Sequence, residues 1–236
     1  PAEPWPHWRE LLDAIRKRNP RQYERFAEQL RPFAAERAPP FQVPRRPMVF
    51  VGRDKELAEF TEILAHRPVQ RIYCLVGMGG IGKTALAKHA AYRLRDYFPD
   101  GVLWADTGTQ DPLLILDSWA RAYGYDFSAL TDLDSRADAV RRALTDRKIL
   151  IVLDDVQRPD LVPLYLPGGS QYTVLLTTRD MRLAVDLSEH KYIYPLSALT
   201  AEEGRELMTR IVGEKRVSDE TDAATAICQM LGNHPL

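Results

Sequence analysis

The sequence predicts an α/β fold: a parallel five-stranded sheet sandwiched by helices, with a helical arm before it and a small helical subdomain after it. Three observations predict this. From residue 48 onward, short apolar stretches alternate with amphipathic ones. A glycine-rich loop falls at the first strand-to-helix junction, and about 70 residues later an apolar run ends in two aspartates. Short apolar strands separated by amphipathic helices are the pattern of a parallel sheet covered on both faces.

The elements follow in order. Trp8, Leu11, Leu12 and Ile15 have helical spacing, as do Tyr23, Phe26, Leu30 and Phe33, with Pro20 between the two runs. Helices are therefore expected at 7–18 and 20–35, forming an N-terminal arm over 1–38. Residues 39–47 are rich in proline and read as an extended linker. The core spans 48–198. Its strands are expected at Arg71–Val76, Val102–Asp106, Ile149–Leu153, Thr173–Thr177 and Tyr192–Pro195. Its helices are expected near 54–65, 83–97, 112–123, 135–146 and 180–186. From 199 to 236 the pattern is helical only. Thr200-Ala-Glu-Glu203 is a capping box that opens a helix over 200–212, and another helix is expected at 218–231.

Composition excludes several classes. The 236 residues carry 32 basic and 33 acidic side chains, so no global field steers the chain to nucleic acid or acidic lipid. The balance conceals a division. Residues 1–47 hold ten Lys/Arg against six Asp/Glu, a net of +4, which leaves −5 for the remainder of a −1 total. That basic arm reads as a solvated helical face or as a contact for an acidic partner. No stretch approaches the roughly 20 apolar residues of a membrane span, and no signal peptide is expected, since the start lacks an apolar h-region. Two cysteines, Cys74 and Cys228, make no disulfide framework, so a reducing, cytoplasmic setting is expected. Pro1 at the start and Leu236 at the end lead us to expect a piece of a longer protein.

The strongest motif is Gly77-Met-Gly-Gly-Ile-Gly82-Lys83-Thr84, which fits G-x-x-x-x-G-K-[ST] between a strand and a helix. Gly79, Gly80 and Gly82 let the backbone of the loop through Ile81 curl, so that N–H groups point inward at phosphate oxygens. The helix N-terminus that follows, including Ala85, adds its partial positive charge. Lys83 reaches the outer phosphates, and the Thr84 hydroxyl ligates magnesium. Gly77, Gly79 and Gly82 also satisfy the dinucleotide fingerprint G-x-G-x-x-G. That fingerprint does not ask for Lys-Thr, however, and wants an acid about 20 residues on, whereas Asp106 lies 29 from Gly77.

Ile149-Leu-Ile-Val-Leu-Asp154-Asp155 supplies the second half, a Walker B pattern. Asp154 is assigned to the metal opposite Thr84. Asp155 stands where a general base or water-orienting group belongs, or else caps the following helix. A whole expected strand lies between the two motifs in sequence, which points to the branch of phosphate-loop folds whose Walker A and Walker B strands are separated by another strand. The next strand ends in Thr177-Thr178-Arg179, and Arg179 either senses a γ-phosphate or pairs with Asp180 or Asp155. Guanine readers usually carry Asn-Lys-x-Asp. Neither Asn19 nor Asn233 fits, so adenine is the expected base. Leu166-Pro-Gly-Gly-Ser-Gln171 is superficially similar to the signature of transporter ATPases, but it follows the Walker B strand and reads as a turn.

Five ordered motifs together carry a resemblance. Phe50-Val-Gly-Arg-x-x-Glu-Leu57, the phosphate loop, Leu-Ile-Val-Leu-Asp-Asp-Val, the Gly169-Ser170 turn into Leu-Leu-Thr-Thr-Arg-Asp, and Gly232-Asn-His-Pro-Leu236 occur in this order. In that order they resemble the NB-ARC nucleotide-binding module of the STAND class of signal-transduction ATPases. That class includes plant disease-resistance proteins, the apoptosome scaffold and bacterial regulators. The resemblance covers 48–236. It implies that Val51 and Arg53 contact the adenine or ribose, that Arg179 is the γ-phosphate sensor, and that Pro235 presses on the adenine from the helical subdomain. It implies ADP or ATP with Mg2+ as cofactors, slow hydrolysis, and self-association of the full-length protein in the ATP state. The module's winged-helix domain lies beyond the matched segment.

Two other function classes fit parts of the sequence. A motor-like AAA+ ATPase needs a catalytic Glu after the Walker B aspartate, where this chain has Asp155. A nucleotide-controlled DNA-binding regulator is supported by the basic arm alone. A kinase has no acceptor-site signature here.

Overall fold

The computed structural model describes residues 38–66 and 71–235. The helices expected at 7–18 and 20–35 lie outside the described residues, as does Leu236. Five strands, β1 (Arg71–Val76), β2 (Gly101–Asp106), β3 (Ile149–Asp154), β4 (Thr173–Thr178) and β5 (Ile193–Pro195), form one parallel sheet in the order β2-β3-β4-β1-β5. The Walker A strand β1 and the Walker B strand β3 are separated by β4, as expected.

The period of two along the strands sorts side chains to two cores. Cys74, Val76, Leu103, Ala105, Ile149, Ile151, Leu153, Val174 and Leu176 face one side, under α3 (Pro112–Ala122), α4 (Leu133–Ala143) and α5 (Met181–Leu187). Tyr73, Leu75, Val102, Trp104, Leu150, Val152 and Leu175 face the other, under α1 (Asp54–His66) and α2 (Lys83–Arg93). Cys74 is buried, and burial pushes its thiol up to about 12, so it is an inert core residue. No helix among the described residues is long and apolar enough to cross a membrane.

The helix over 83–97 is shorter than expected. α2 stops at Arg93, and Arg95–Tyr97 is a 3-10 turn leading to Pro99. The helix expected at 135–146 spans 133–143, because the Asp132 side chain accepts from the Ser135 N–H and caps it two residues earlier. Residues 218–231 are two helices, α7 (Glu214–Asp219) and α8 (Thr221–Met230), after α6 (Ala201–Val212). The capping box of α6 is formed as read: Thr200 and Glu203 exchange both bonds. After β3 a 3-10 segment, Pro159–Tyr165, carries two prolines and was missed.

Residues 39–47, read as a linker, are docked on the protein. The Gln42 N–H donates to the Val102 carbonyl and the Val102 N–H to the Pro40 carbonyl, so this stretch lies on the β2 edge of the sheet.

Candidate functional site

The site sits at the C-terminal ends of the strands, where a parallel sheet brings its strand tips and helix N-termini together. The two-residue period decides what points there. On β3 the residues 150, 152 and 154 share one face, on β4 175 and 177, and on β2 102, 104 and 106. That face is the one covered by α2. Asp154, Thr177 and Asp106 are thus aimed at the start of α2, where Thr84 stands.

Asp154 is 6% exposed. Its Oδ1 accepts from Thr84 Oγ1 at 2.9 Å and from Thr177 Oγ1 at 2.7 Å. Burial raises its carboxyl above the ordinary range, and the two hydroxyls oppose that rise by solvating the anion. Asp106 is its cross-strand neighbour and raises it further. Lys83 is 7% exposed, and its Nζ donates to the carbonyls of Gly77 and Met78, both at 2.8 Å. Burial, then the Arg179 cation, lower its pKa. The ammonium is therefore held at the loop by two backbone carbonyls, which a phosphate could replace as acceptors.

α2 begins differently from its neighbours. α3, α4 and α5 are capped by the Asp111, Asp132 and Asp180 side chains and α6 by Thr200. α2 starts at Gly82, left-handed at φ 100°, with no side-chain cap and no acid in its first turn. Its leading N–H groups are left to a ligand that can accept several bonds, as an anion does.

Asp155 also has a left-handed backbone, at φ 53°. It caps no helix: its N–H donates to Thr177 Oγ1 at 2.9 Å, and its Oδ2 accepts from Gln157 Nε2 at 2.9 Å. Its Oδ1 lies 3.4 Å from Arg179 Nε. Of the two partners weighed for Arg179, Asp155 is thus the one found, and Asp180 is occupied in capping α5. Arg179 is largely exposed and lies over Gly79, where a Cβ would meet its Nη1 at 3.1 Å.

These groups line one cavity of about 720 Å3, within the range of small-molecule sites. It collects Gly79, Gly80, Gly82, Lys83, Thr84, Ala85, Asp154, Asp155, Arg179 and Pro235. Three expected residues are not brought to it. Ile81 packs into the core, and Val51 is buried. Arg53 is buried as a tie between segments: it holds Glu56 Oε1 at 3.0 Å and the carbonyls of Ile81 and Ser197. Sequence reasoning missed Thr177 and the upstream lining residues Arg45, Pro47 and Val49. The alternation along β4 was the available signal for Thr177.

Leu207, Ile211 and Pro235 enter the cavity from the helical subdomain. Leu199 N–H donates to the Asn233 carbonyl within this subdomain, and Gly52 of the core lies against the Glu203 side chain, which joins the subdomain to the core.

The residues present fit a magnesium nucleotide. A hydroxyl and a carboxylate 2.9 Å apart are the hard oxygen donors magnesium takes. No group of three or more His, Cys, Asp or Glu among the described residues is arranged to hold a metal alone. The remaining ligands must then be phosphate oxygens and water, the usual mode for this ion. When bound, the metal would neutralise phosphate charge, and Lys83 and the N–H groups of α2 would orient the phosphates.

Residues 53–218 match the NB-ARC domain family, more than two thirds of the chain. The chain belongs to the NB-ARC family. The regulatory protein AfsR of Streptomyces griseus is 37% identical over 205 residues, covering 84% of this chain and 21% of AfsR. Human apoptotic protease-activating factor 1 is 31% identical over 211 residues, 82% of this chain and 16% of that protein. This NB-ARC domain thus spans about a fifth of the curated relatives it matches. The structure of Drosophila ORC bound to DNA has a TM-score of 0.51 at 15% identity, covering 73% of this chain and 49% of that one, a likeness of fold alone.

Proposed function

We propose that this NB-ARC domain is an adenine-nucleotide switch of the STAND class, binding ADP or ATP with Mg2+ and hydrolysing ATP slowly. The observation that carries the reading is Asp154, buried and held by the hydroxyls of both Thr84 and Thr177 beside Lys83. In this proposal Gly79, Gly80, Ile81, Gly82 and Lys83 cradle the phosphates. Thr84 and Asp154 hold the metal, and Ala85 and Pro235 flank the base. Val51 and Arg53 act near it through the segment they fix. Arg179 reports the γ-phosphate.

Slow turnover is supported by the state of Asp155. Both of its oxygens are already engaged, by Arg179 and Gln157, so it must be released before it can orient a water. Switching is supported by the roof of the cavity, because a ligand there touches core and helical subdomain together. At about 1,000 times its dissociation constant, a ligand biases the bound arrangement by about 4 kcal/mol. Within a longer protein, in a cytoplasmic setting, exchange of ADP for ATP would open the arrangement and promote self-association. No nucleic-acid partner is proposed for this segment.

The test is to denature the purified chain, identify released nucleotides, and titrate ADP and ATP with Mg2+. Finding no bound adenine nucleotide, together with no binding of added ADP, would sink the proposal. Steady-state hydrolysis well above about 1 s−1 would favour a motor-like ATPase instead.

A further inference from the structure

Upstream of α1 the chain crosses the molecule as a strap. Pro40 and Gln42 are hydrogen-bonded to β2 at Val102, and Gln42 Nε2 also donates to Ser118 Oγ at 3.1 Å. From that edge the strap runs along α2. The Phe41 ring meets Tyr92 edge-on at 4.9 Å, and the Arg95 guanidinium lies 4.9 Å over Phe41. Arg46 lies 5.2 Å over Tyr92, and Phe50 stacks on His89 at 3.9 Å. Val43 is buried beneath. Ala85, Lys88, His89 and Tyr92 are three or four residues apart and share one helix face. The strap therefore lies along the helix whose first turn carries Lys83 and Thr84.

Between these anchors, Arg45, Pro47 and Val49 line the nucleotide cavity. Arg45 is exposed and has no hydrogen bond or ion pair among the described residues. Its neighbours on the strap are fixed on both sides, so its guanidinium is presented at the cavity and not on a free loop. The carboxylates of the cavity, Asp106, Asp154 and Asp155, all sit at strand tips, and none comes from the strap or from α2. Arg45 and Lys88 are thus cations flanked by apolar Pro47, Val49 and Ala85. Five guanidinium donors in that setting suit a ligand rich in acceptor oxygens and ring nitrogens.

We propose that Arg45 is a nucleotide-binding residue delivered by the strap, so that nucleotide occupancy and strap docking form one equilibrium. This rests on the nucleotide reading above and extends it to the segment that leads directly into residues 1–37. The mechanism is local. A nucleotide held by Arg45 and by the first turn of α2 fixes the strap against that helix from both ends. Loosening the strap removes one donor from the nucleotide.

The experiment uses the chain as it stands, with ADP and Mg2+ as the probe. Affinity is read by calorimetric titration and strap docking by hydrogen exchange of residues 39–50. Arg45→Ala should bind ADP about 10-fold more weakly or worse, the effect of removing one charge-assisted bond. Its melting temperature without nucleotide should match the wild type, because Arg45 has no partner to lose among the described residues. Arg45→Lys should recover part of the affinity. Phe41→Ala, with Arg45 intact, should also weaken ADP, and ADP should slow strap exchange in the wild type but not in Lys83→Ala. Wild-type ADP affinity in both Arg45→Ala and Phe41→Ala overturns the proposal, as does strap exchange indifferent to ADP. If the wild type binds no adenine nucleotide, the nucleotide reading itself fails and this proposal falls with it.

Discussion

Thr177→Val tests the centre of the site. Thr177 is fully buried and does two things: it donates to Asp154 at 2.7 Å and accepts from the Asp155 N–H at 2.9 Å. Valine keeps the shape and the strand preference but replaces the hydroxyl with a methyl. Asp154 then loses one of its two hydroxyl donors, a charge-assisted bond of about 1.5–3 kcal/mol. The Asp155 N–H is left without its partner, at a cost of about 1–3 kcal/mol. Allowing for the gain of one buried methyl, about 0.8 kcal/mol, we expect a loss of about 2–5 kcal/mol near pH 7. That is a large part of the about 5–15 kcal/mol that holds such a domain together.

The pH dependence has a definite sign. Asp154 has its carboxyl raised by burial, so its ionised form is disfavoured in the fold. A raised folded pKa contributes stability that is fully present below the unfolded value and lost as pH rises through the folded value. Removing Thr177 raises that pKa further. The penalty of Thr177→Val should therefore shrink as pH falls through the raised carboxyl range towards the ordinary 3.8. Urea denaturation followed by circular dichroism measures both. In an Asp154→Asn background the charge-assisted part is gone, and about 1 kcal/mol of coupling should appear in the double-mutant cycle. A loss under about 0.5 kcal/mol, or the same loss in both backgrounds, would refute the reasoning.

The remaining expectations concern the ligand and the subdomain contact. Lys83→Ala should weaken ATP far more than it lowers the melting temperature, because among the described residues its Nζ bonds only two loop carbonyls; calorimetry beside thermal denaturation checks this. Arg179→Ala should blur discrimination between ATP and ADP while leaving ADP binding nearly intact, and equal loss of both in competition titrations would contradict the sensor role. Gly52→Ala should destabilise by about 1–3 kcal/mol, measured by urea denaturation. Gly52 has φ +69°, costly for a residue with a Cβ, and that Cβ would meet the Glu203 side chain at 2.6–2.8 Å.

The legible part of the fold was the part written in local periodicity. Ile149 to Leu153 is apolar without interruption, because β3 is covered on both faces, and such a run ending in Asp-Asp is readable without a structure. Helix ends were less so. Arg93 ends α2 although nothing in its pattern stops there, whereas α4 begins early through an Asp132 cap that the apolar spacing did not register. Residues 39–47 looked like a linker by their prolines. Proline removes donors, but a sheet edge needs only alternate ones, and Gln42 supplies the N–H that pairs with Val102.

The sequence by itself determined the phosphate loop, the two Walker strands and their order, because each is a contiguous run whose residue types are demanded by backbone geometry or by charge. The tertiary structure decided who meets whom. It placed Thr177 on Asp154, paired Arg179 with Asp155, turned Arg53 into an internal tie, and brought the strap and the helical subdomain to one cavity. Those contacts join residues tens to more than a hundred positions apart. Their pairing is set by sheet register and helix packing, which no local pattern encodes.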